Sequence, residues 1–195
     1  MNRGDDTVAG TGNWHVTGVI MRKPRVIIFD DDVSSLKLLE SSFAGWGYEV
    51  FSYHAPLVCP ASFGQECNCQ APCADLMISD FLMPQMTGTE LFWRQAERGC
   101  KVPKKAKAII SYYSEDRLLR LCEDSGYRYF EKPFNYEKLN GWLSACESCF
   151  DLSKQLGRRP AEAGHEFRHN IEYYSDSSDL REKYNGFRLI RTRVA

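Results

Sequence analysis

Acidic residues at the ends of apolar runs are the first chemical signal in this chain. Residues 26–29 form a continuous apolar, β-branched run closed by Asp30, Asp31 and Asp32, and an apolar run at 76–78 leads to a lone Asp80. Three adjacent carboxylates repel one another. One reading of the triplet is a solvated loop beside a helix N-terminus, where the macrodipole favours acids. The other is a divalent cation site, because hard oxygen ligands cluster where a cation offsets their repulsion. Asp80, a second strand-end acid, favours the cation. Two further apolar runs, 106–110 and 127–130, end at Ser111 and at Glu131, Lys132 and Pro133. An acid cluster, a lone acid, a hydroxyl and an amine around a cation suit phosphoryl transfer: metal and ammonium neutralise phosphoryl oxygens while a carboxylate attacks.

Cysteine is the second signal. Cys59, Cys67, Cys69 and Cys73 crowd into CPASFGQECNCQAPC, within a stretch, 54–75, where Pro56, Pro60 and Pro72 oppose a regular helix. These thiolates could hold a tetrahedral Zn²⁺ that knits together a loop with little apolar content. The paired CxxC knuckles of common zinc sites are missing, so the competing reading is reduced or redox-sensitive thiols. Cys146 and Cys149 form one CxxC on an expected helix, a weak signal, and Cys100 and Cys122 read as isolated thiols.

The elements that must position these groups follow from periodicity. Strands are expected at 26–29, 48–53, 76–78, 106–110 and 127–130. Helical patterns begin at Ser34, with Leu36, Leu39, Phe43 and Trp46 on one face and Gly47 as stop, and at Thr89, with Leu91, Phe92 and Trp93. A third runs over 114–125 with Ser114 as candidate N-cap, closed by Gly126, and a fourth follows Asn135 as N-cap and contains Leu139, Trp142, Leu143 and Cys146. Pro84 and Gly88 force a turn after Asp80. Five alternations of strand and helix predict an α/β, doubly wound parallel sheet covered on both faces, with right-handed crossovers. In such sheets the crevice at the carboxyl ends of the strands takes ligands, which gathers Asp30, Asp31, Asp80, Ser111 and Lys132 there.

At 195 residues the chain has room for one ordinary domain with tails. Residues 1–22 read as a disordered extension, with Met21 an alternative start of translation; 23–149 as the domain, with the cysteine-rich insertion at 54–75; and 150–195 as a tail or partial output module. A balance of 25 Lys+Arg against 26 Asp+Glu gives net charge −1 and points to neither nucleic acid nor an acidic partner. No apolar run approaches the roughly 20 residues of a membrane span, and no export signal is evident, so a cytoplasmic location with reduced thiols is expected.

From about Lys23 to about Cys149 the chain resembles the receiver domain of bacterial two-component response regulators, in a cysteine-rich variant. The matching motifs are IIFDDD at the first strand, DFLMPQMTG at the third, IIS at the fourth and YFEKPF at the fifth. The resemblance implies a flavodoxin-like five-stranded sheet of order 2-1-3-4-5. It implies a phosphoacceptor signalling protein, with at most self-phosphorylation and autodephosphorylation as activities, that takes its phosphoryl group on Asp80 from a sensor histidine kinase or histidine phosphotransfer protein. Mg²⁺ would be held by Asp30, Asp31, Asp80 and the backbone carbonyl of Leu82, with Asp31 the direct ligand of the acidic pair. Lys132 and Ser111 would contact the phosphoryl group, and Tyr129 would be the aromatic switch. Signalling would pass to a downstream protein, since the tail is short for a DNA-binding module and shows no helix-turn-helix pattern. The chain departs from the family at Tyr112 and Tyr113, where a small residue usually follows the hydroxyl, and at the insertion, which sits where the second helix belongs. Two alternatives remain: a haloacid-dehalogenase-like phosphatase with Asp30 as nucleophile, and a pseudo-receiver or zinc-stapled binding module that is never phosphorylated.

Overall fold

The computed structural model describes residues 15–16 and 19–160. The part of the expected tail beyond residue 160, and most of the expected amino-terminal extension, lie outside the described residues. Within that extension His15–Val16 pairs antiparallel with Val19–Ile20.

Five strands build the body: β1 (Arg25–Phe29), β2 (Glu49–Tyr53), β3 (Leu76–Asp80), β4 (Lys107–Ser111) and β5 (Arg128–Glu131). Every neighbouring pair is parallel and the order is β2-β1-β3-β4-β5, the flavodoxin-like 2-1-3-4-5 arrangement. Every residue of β3 and β4 is buried. Because successive strand side chains point to opposite faces, this places protein on both sides of the sheet centre, as parallel sheets require.

The helices are α1 (Val33–Gly45), α2 (Gly88–Glu97), α3 (Asp116–Ser125) and α4 (Tyr136–Glu147). α1 buries Leu36, Leu39 and Phe43, and its start is fixed by Asp32, whose carboxylate accepts the amides of Ser34 and Ser35. Asn135 caps α4 by accepting the Lys138 amide at 3.0 Å, as its position before the apolar period predicts. Ser114 does not cap α3. That helix begins at Asp116 after Glu115, which makes no side-chain cap bond, while Ser114 belongs to the loop that leaves β4. α1 and α4 are neighbours: the Trp46 and Tyr136 rings meet edge to face at 6.3 Å, and the Tyr48 hydroxyl donates to Glu147.

No α-helix lies between β2 and β3. Pro56–Val58 and Pro60–Phe63 are two 3₁₀ turns, and the chain from Gly64 to Asp75 has neither helix nor strand. Prolines at the first position of each turn start them and oppose regular helix before or beyond. No helix among the described residues is long and apolar enough to cross a membrane.

Candidate functional site

The carboxyl edge of the sheet is tied by backbone bonds that continue the ladder past the strands: Asp30 N–H to Tyr53, Phe81 N–H to Ile110 and Lys132 N–H to Ser111, at 3.1, 2.8 and 2.7 Å. Asp30, Asp80, Ser111 and Lys132 are thereby brought together. With Asp31, Leu82 and Tyr112 they line one cleft of about 170 Å³.

Lys132 is its centre. The buried ammonium donates to Asp30 Oδ2 at 2.7 Å and to Asp80 Oδ1 at 2.5 Å, so one cation joins the acids at the ends of β1 and β3. Asp80 Oδ2 accepts the Leu82 amide at 2.7 Å. Burial pushes the Asp80 carboxyl up to about 6, against Lys132, which pulls it down. The ammonium in turn is held charged, at a raised pKa, because Asp80 and Asp30 outweigh its desolvation. Asp30 is fully buried and engaged at both oxygens, Oδ1 by the Asp32 amide and Oδ2 by the Ser35 hydroxyl at 2.5 Å as well as by Lys132. Asp31 stands exposed at the rim, its pKa raised by desolvation and then by Asp30. The acidic triplet thus divides its work: Asp30 anchors Lys132, Asp31 faces the cleft, and Asp32 caps α1. The helix-terminus reading of the triplet accounts for Asp32, which caps α1.

Gly88, at the first position of α2, sits hard against this site. A Cβ there would lie 2.3 Å from the Asp80 carbonyl oxygen and 2.7 Å from Ser79 Oγ. Only glycine allows the helix to start so close to the end of β3. The loop before it turns through Gln85 at φ 75, a left-handed conformation that is uncommon for a residue with a Cβ.

Ser111 and Tyr129 are placed differently from a direct contact with Asp80. Ser111 Oγ accepts the Tyr113 amide at 3.0 Å, so in this conformation it closes the turn after β4. The half-buried Tyr129 donates its hydroxyl to the Tyr113 carbonyl at 2.7 Å. Both therefore grip the same residue of the β4–α3 loop, a connection with no signature in the sequence. Tyr112, 66% exposed, lays its ring 5.1 Å from the Lys132 ammonium and forms part of the cleft wall. Ser35 was equally hidden from sequence reading, since nothing marks the first turn of α1 as the place from which a hydroxyl reaches Asp30.

The oxygen donors at the rim fit a hard cation. Asp31 makes no ion pair among the described residues, and with Asp80 it offers carboxylate oxygens of the hard kind that Mg²⁺ prefers, while the surrounding donors are neither thiol nor imidazole. No three acidic, cysteine or histidine side chains among the described residues stand in ligating geometry, and Lys132 bridges Asp30 and Asp80.

The cysteines gather elsewhere. Cys59, Cys67, Cys69 and Cys73 share a cavity of about 620 Å³, as their crowding in sequence suggests, and Cys100 joins them. Cys100 is therefore not the isolated thiol expected from sequence: the turn leaving α2 returns it to the insertion. Cys122 is buried beneath α3, with its thiol pushed up to about 12 by desolvation. Cys146 is buried on α4, and Cys149 is exposed just beyond it, 3.2 Å from the Lys105 ammonium.

No protein-family model matches the chain. Among known proteins, a probable chemotaxis protein CheY from Rhizobium etli is 31% identical over 128 residues, which cover 65% of this chain and 94% of that protein. This chain belongs to the response regulator receiver family. The transcriptional regulatory protein ZraR of Klebsiella oxytoca is 24% identical over 119 residues, and the match spans 25% of its length. Among solved structures, a CheY-like response regulator receiver domain protein from Methanospirillum hungatei superposes with a TM-score of 0.50 at 25% identity, over 66% of this chain and 100% of that one. A Francisella response regulator receiver domain gives 0.53 at 19% identity, with the same coverage of both chains, a likeness of fold.

Proposed function

We propose that this receiver accepts a phosphoryl group on Asp80 and passes the change to a protein partner. The observation that carries the reading is the Lys132 ammonium joined to Asp80 and Asp30 in a cleft at the carboxyl edge of a 2-1-3-4-5 sheet. A carboxylate oxygen of Asp80 attacks phosphorus of a phosphohistidine on a sensor kinase or phosphotransfer protein. The new O–P bond forms as the P–N bond breaks, and the imidazole leaves. Lys132 neutralises charge on the transferring oxygens. Mg²⁺, held by Asp31, Asp80 and the Leu82 carbonyl with Asp30 behind them, would supply the remaining countercharge. The chain acts as a phosphoacceptor, not as an enzyme on other substrates, and works in the cytoplasm, where such kinases present their phosphohistidines.

The response is a shift between pre-existing conformations. A dianionic phosphoryl group on Asp80 competes for the Ser111 hydroxyl, which would leave Tyr113, and Tyr129 would lose the alignment of its bond to the same residue. Asp30 is a poor candidate for the nucleophile of a phosphatase, since it is fully buried with both oxygens bonded.

The test is incubation with Mg²⁺ and acetyl phosphate, read by intact mass and by peptide mapping after reduction of the acyl phosphate. One phosphoryl group on Asp80, lost in Asp80→Asn and without Mg²⁺, is the expected result. Label on Asp30 would favour the phosphatase. No label, together with no fluorescence change on beryllofluoride, would favour a binding module that is never phosphorylated.

A further inference from the structure

We propose that Cys146 and Cys149, at and just beyond the carboxyl end of α4, form a dithiol that exchanges with low-molecular-weight disulfides, with Cys149 as the attacking sulfur and Cys146 as the one that resolves the adduct. Both are free thiols beside the connection that leads into β4, at the edge of the sheet remote from Asp80. The cavity they line shares no residue with the Asp80 cleft.

One residue receives both sulfurs. Lys105 belongs to a 3₁₀ turn, Lys104–Ala106, directly before β4. Its carbonyl accepts from Trp142 Nε1 at 3.1 Å and from Cys146 Sγ at 3.6 Å, while its ammonium lies 3.2 Å from Cys149 Sγ. The two thiols differ as an exchange pair requires. Cys149 is exposed, and Lys105 has no carboxylate within ion-pair distance among the described residues, so its charge is available to a thiolate. The other charges beside the cavity are paired with one another, Arg22 with Asp75 at 2.6 Å and Lys154 with Asp151 at 2.8 Å. The carboxyl end of a helix disfavours an anion, so the lysine and not the backbone must activate Cys149. An exposed thiol beside a cation is the reactive kind, and the contact holds Cys149 below the usual thiol range. Cys146 is buried and its thiol is pushed up to about 11 by desolvation, which keeps it from attacking first.

The backbone keeps the pair within bonding reach. The Cys149 amide donates to the Cys146 carbonyl at 2.9 Å, so the residues stand one helical turn apart. Such a turn sets Cα atoms about 5 Å apart, within the roughly 4.4–6.8 Å that disulfides span. A cavity of about 220 Å³, with Lys105, Cys146, Cys149, Phe150 and Leu156 in its wall, gives an entering substituent room. The Cys149 thiolate attacks one sulfur of a disulfide R–S–S–R; the new S–S bond forms as the old one breaks, and R–S⁻ leaves and takes a proton from water. Cys146 then gives its proton to solvent and attacks the Cys149 sulfur, which expels the second R–S⁻ and leaves a Cys146–Cys149 bond. Two protein thiols are oxidised and one external disulfide is reduced to two thiols. The bonded sulfurs neither donate nor carry charge, so both contacts to Lys105 are lost and the end of α4 responds to redox state.

Full-length reduced protein, freed of reductant, given oxidised glutathione at pH 7, then quenched with acid and alkylated, should lose the free thiols of Cys146 and Cys149, and peptide mapping should place the new link between them. Cys146→Ser should instead hold one glutathione on Cys149. Cys149→Ser should leave Cys146 unreacted. Lys105→Met should slow iodoacetamide labelling of Cys149 several-fold at pH 7 and move the pH profile of that labelling upward, a readout that lost packing alone would not move. Mapping of the unmutated protein covers the case of variants that do not fold. Cys146 and Cys149 both left open to alkylation, glutathione retained on Cys149 of the unmutated protein, or an unshifted profile in Lys105→Met would each overturn the proposal.

Discussion

At Asp80 two opposed forces meet, and the balance sets a measurable pH dependence. Desolvation pushes its carboxyl up to about 6 although Lys132 pulls the other way. Between the ordinary carboxylate range near 4 and about 6, the folded chain holds a proton that the unfolded chain has released. Stability contributed at this site therefore falls as pH rises through that window, and Asp80→Asn should abolish the fall and stabilise the protein at pH 7. Carboxyl ¹³C NMR of metal-free protein should show Asp80 titrating near pH 6, and Mg²⁺ should move the midpoint down, because a cation favours the charged form. A midpoint near 4 without metal would contradict the burial assigned to this group. At the same scale, Tyr112 is expected to limit access to the proposed acceptor. Its ring must leave the Lys132 ammonium before a donor can enter, and an exposed contact of that kind is worth about 0.5–1 kcal/mol. Tyr112→Ala should quicken acetyl phosphate labelling by about two- to fivefold. An unchanged or slower rate would remove Tyr112 as a barrier.

Elements differ in how plainly their sequences announce them. The strands leading to Asp30, Asp80 and Ser111 are mostly apolar, interrupted only by Ser79 and Lys107, and the structure buries nearly all of each, so the strand ends could be read from sequence. Asn135 is equally legible, a short polar side chain directly before a helical period. Contacts between distant segments are not. The Tyr129 bond to Tyr113, the Ser35 bond to Asp30 and the return of Cys100 to the insertion arise from packing between elements, which local periodicity does not encode. Gly88 lies between these cases: its residue type signals a turn, but its cause is the contact of α2 with the Asp80 carbonyl. Gly88→Ala should lower stability by about 2 kcal/mol, the scale of an overpacked contact. It should also slow phosphorylation of Asp80 beyond what the lost stability explains, since the strand end itself must shift. Denaturant unfolding beside a labelling time course at a temperature where both proteins are folded separates the two effects. Full labelling speed in a destabilised variant would mean that the helix, not the acceptor, gives way.

For the molecule as a whole, the edge away from Asp80 is closed by residues on both sides of the central fold, and Arg22 is the knot. Its guanidinium clasps Asp75 at 2.6 and 2.7 Å, just before β3, and its Nε donates to the Lys154 carbonyl at 2.6 Å. Asp75 is largely buried and also accepts the Arg25 amide, so removing the arginine leaves a desolvated carboxylate with its cation gone. The same tie holds residues 151–157 against the insertion, where the Gly157 amide donates to Pro72 and a Cβ on Gly157 would meet the Ala71 carbonyl at 2.6 Å. Arg22→Ala should therefore do two things together. It should cost about 2–3 kcal/mol, in the range of hydrogen bonds to charged groups, and it should free the segment after α4 for trypsin at Lys154 and Arg158. Arg22→Lys keeps the charge but not the paired geometry, and should fall between. Unfolding curves and timed digests of the three proteins decide it. A stability loss without faster cleavage after Lys154 would confine the role of Arg22 to the start of β3, and the tail would then be held by Gly157 and its neighbours alone.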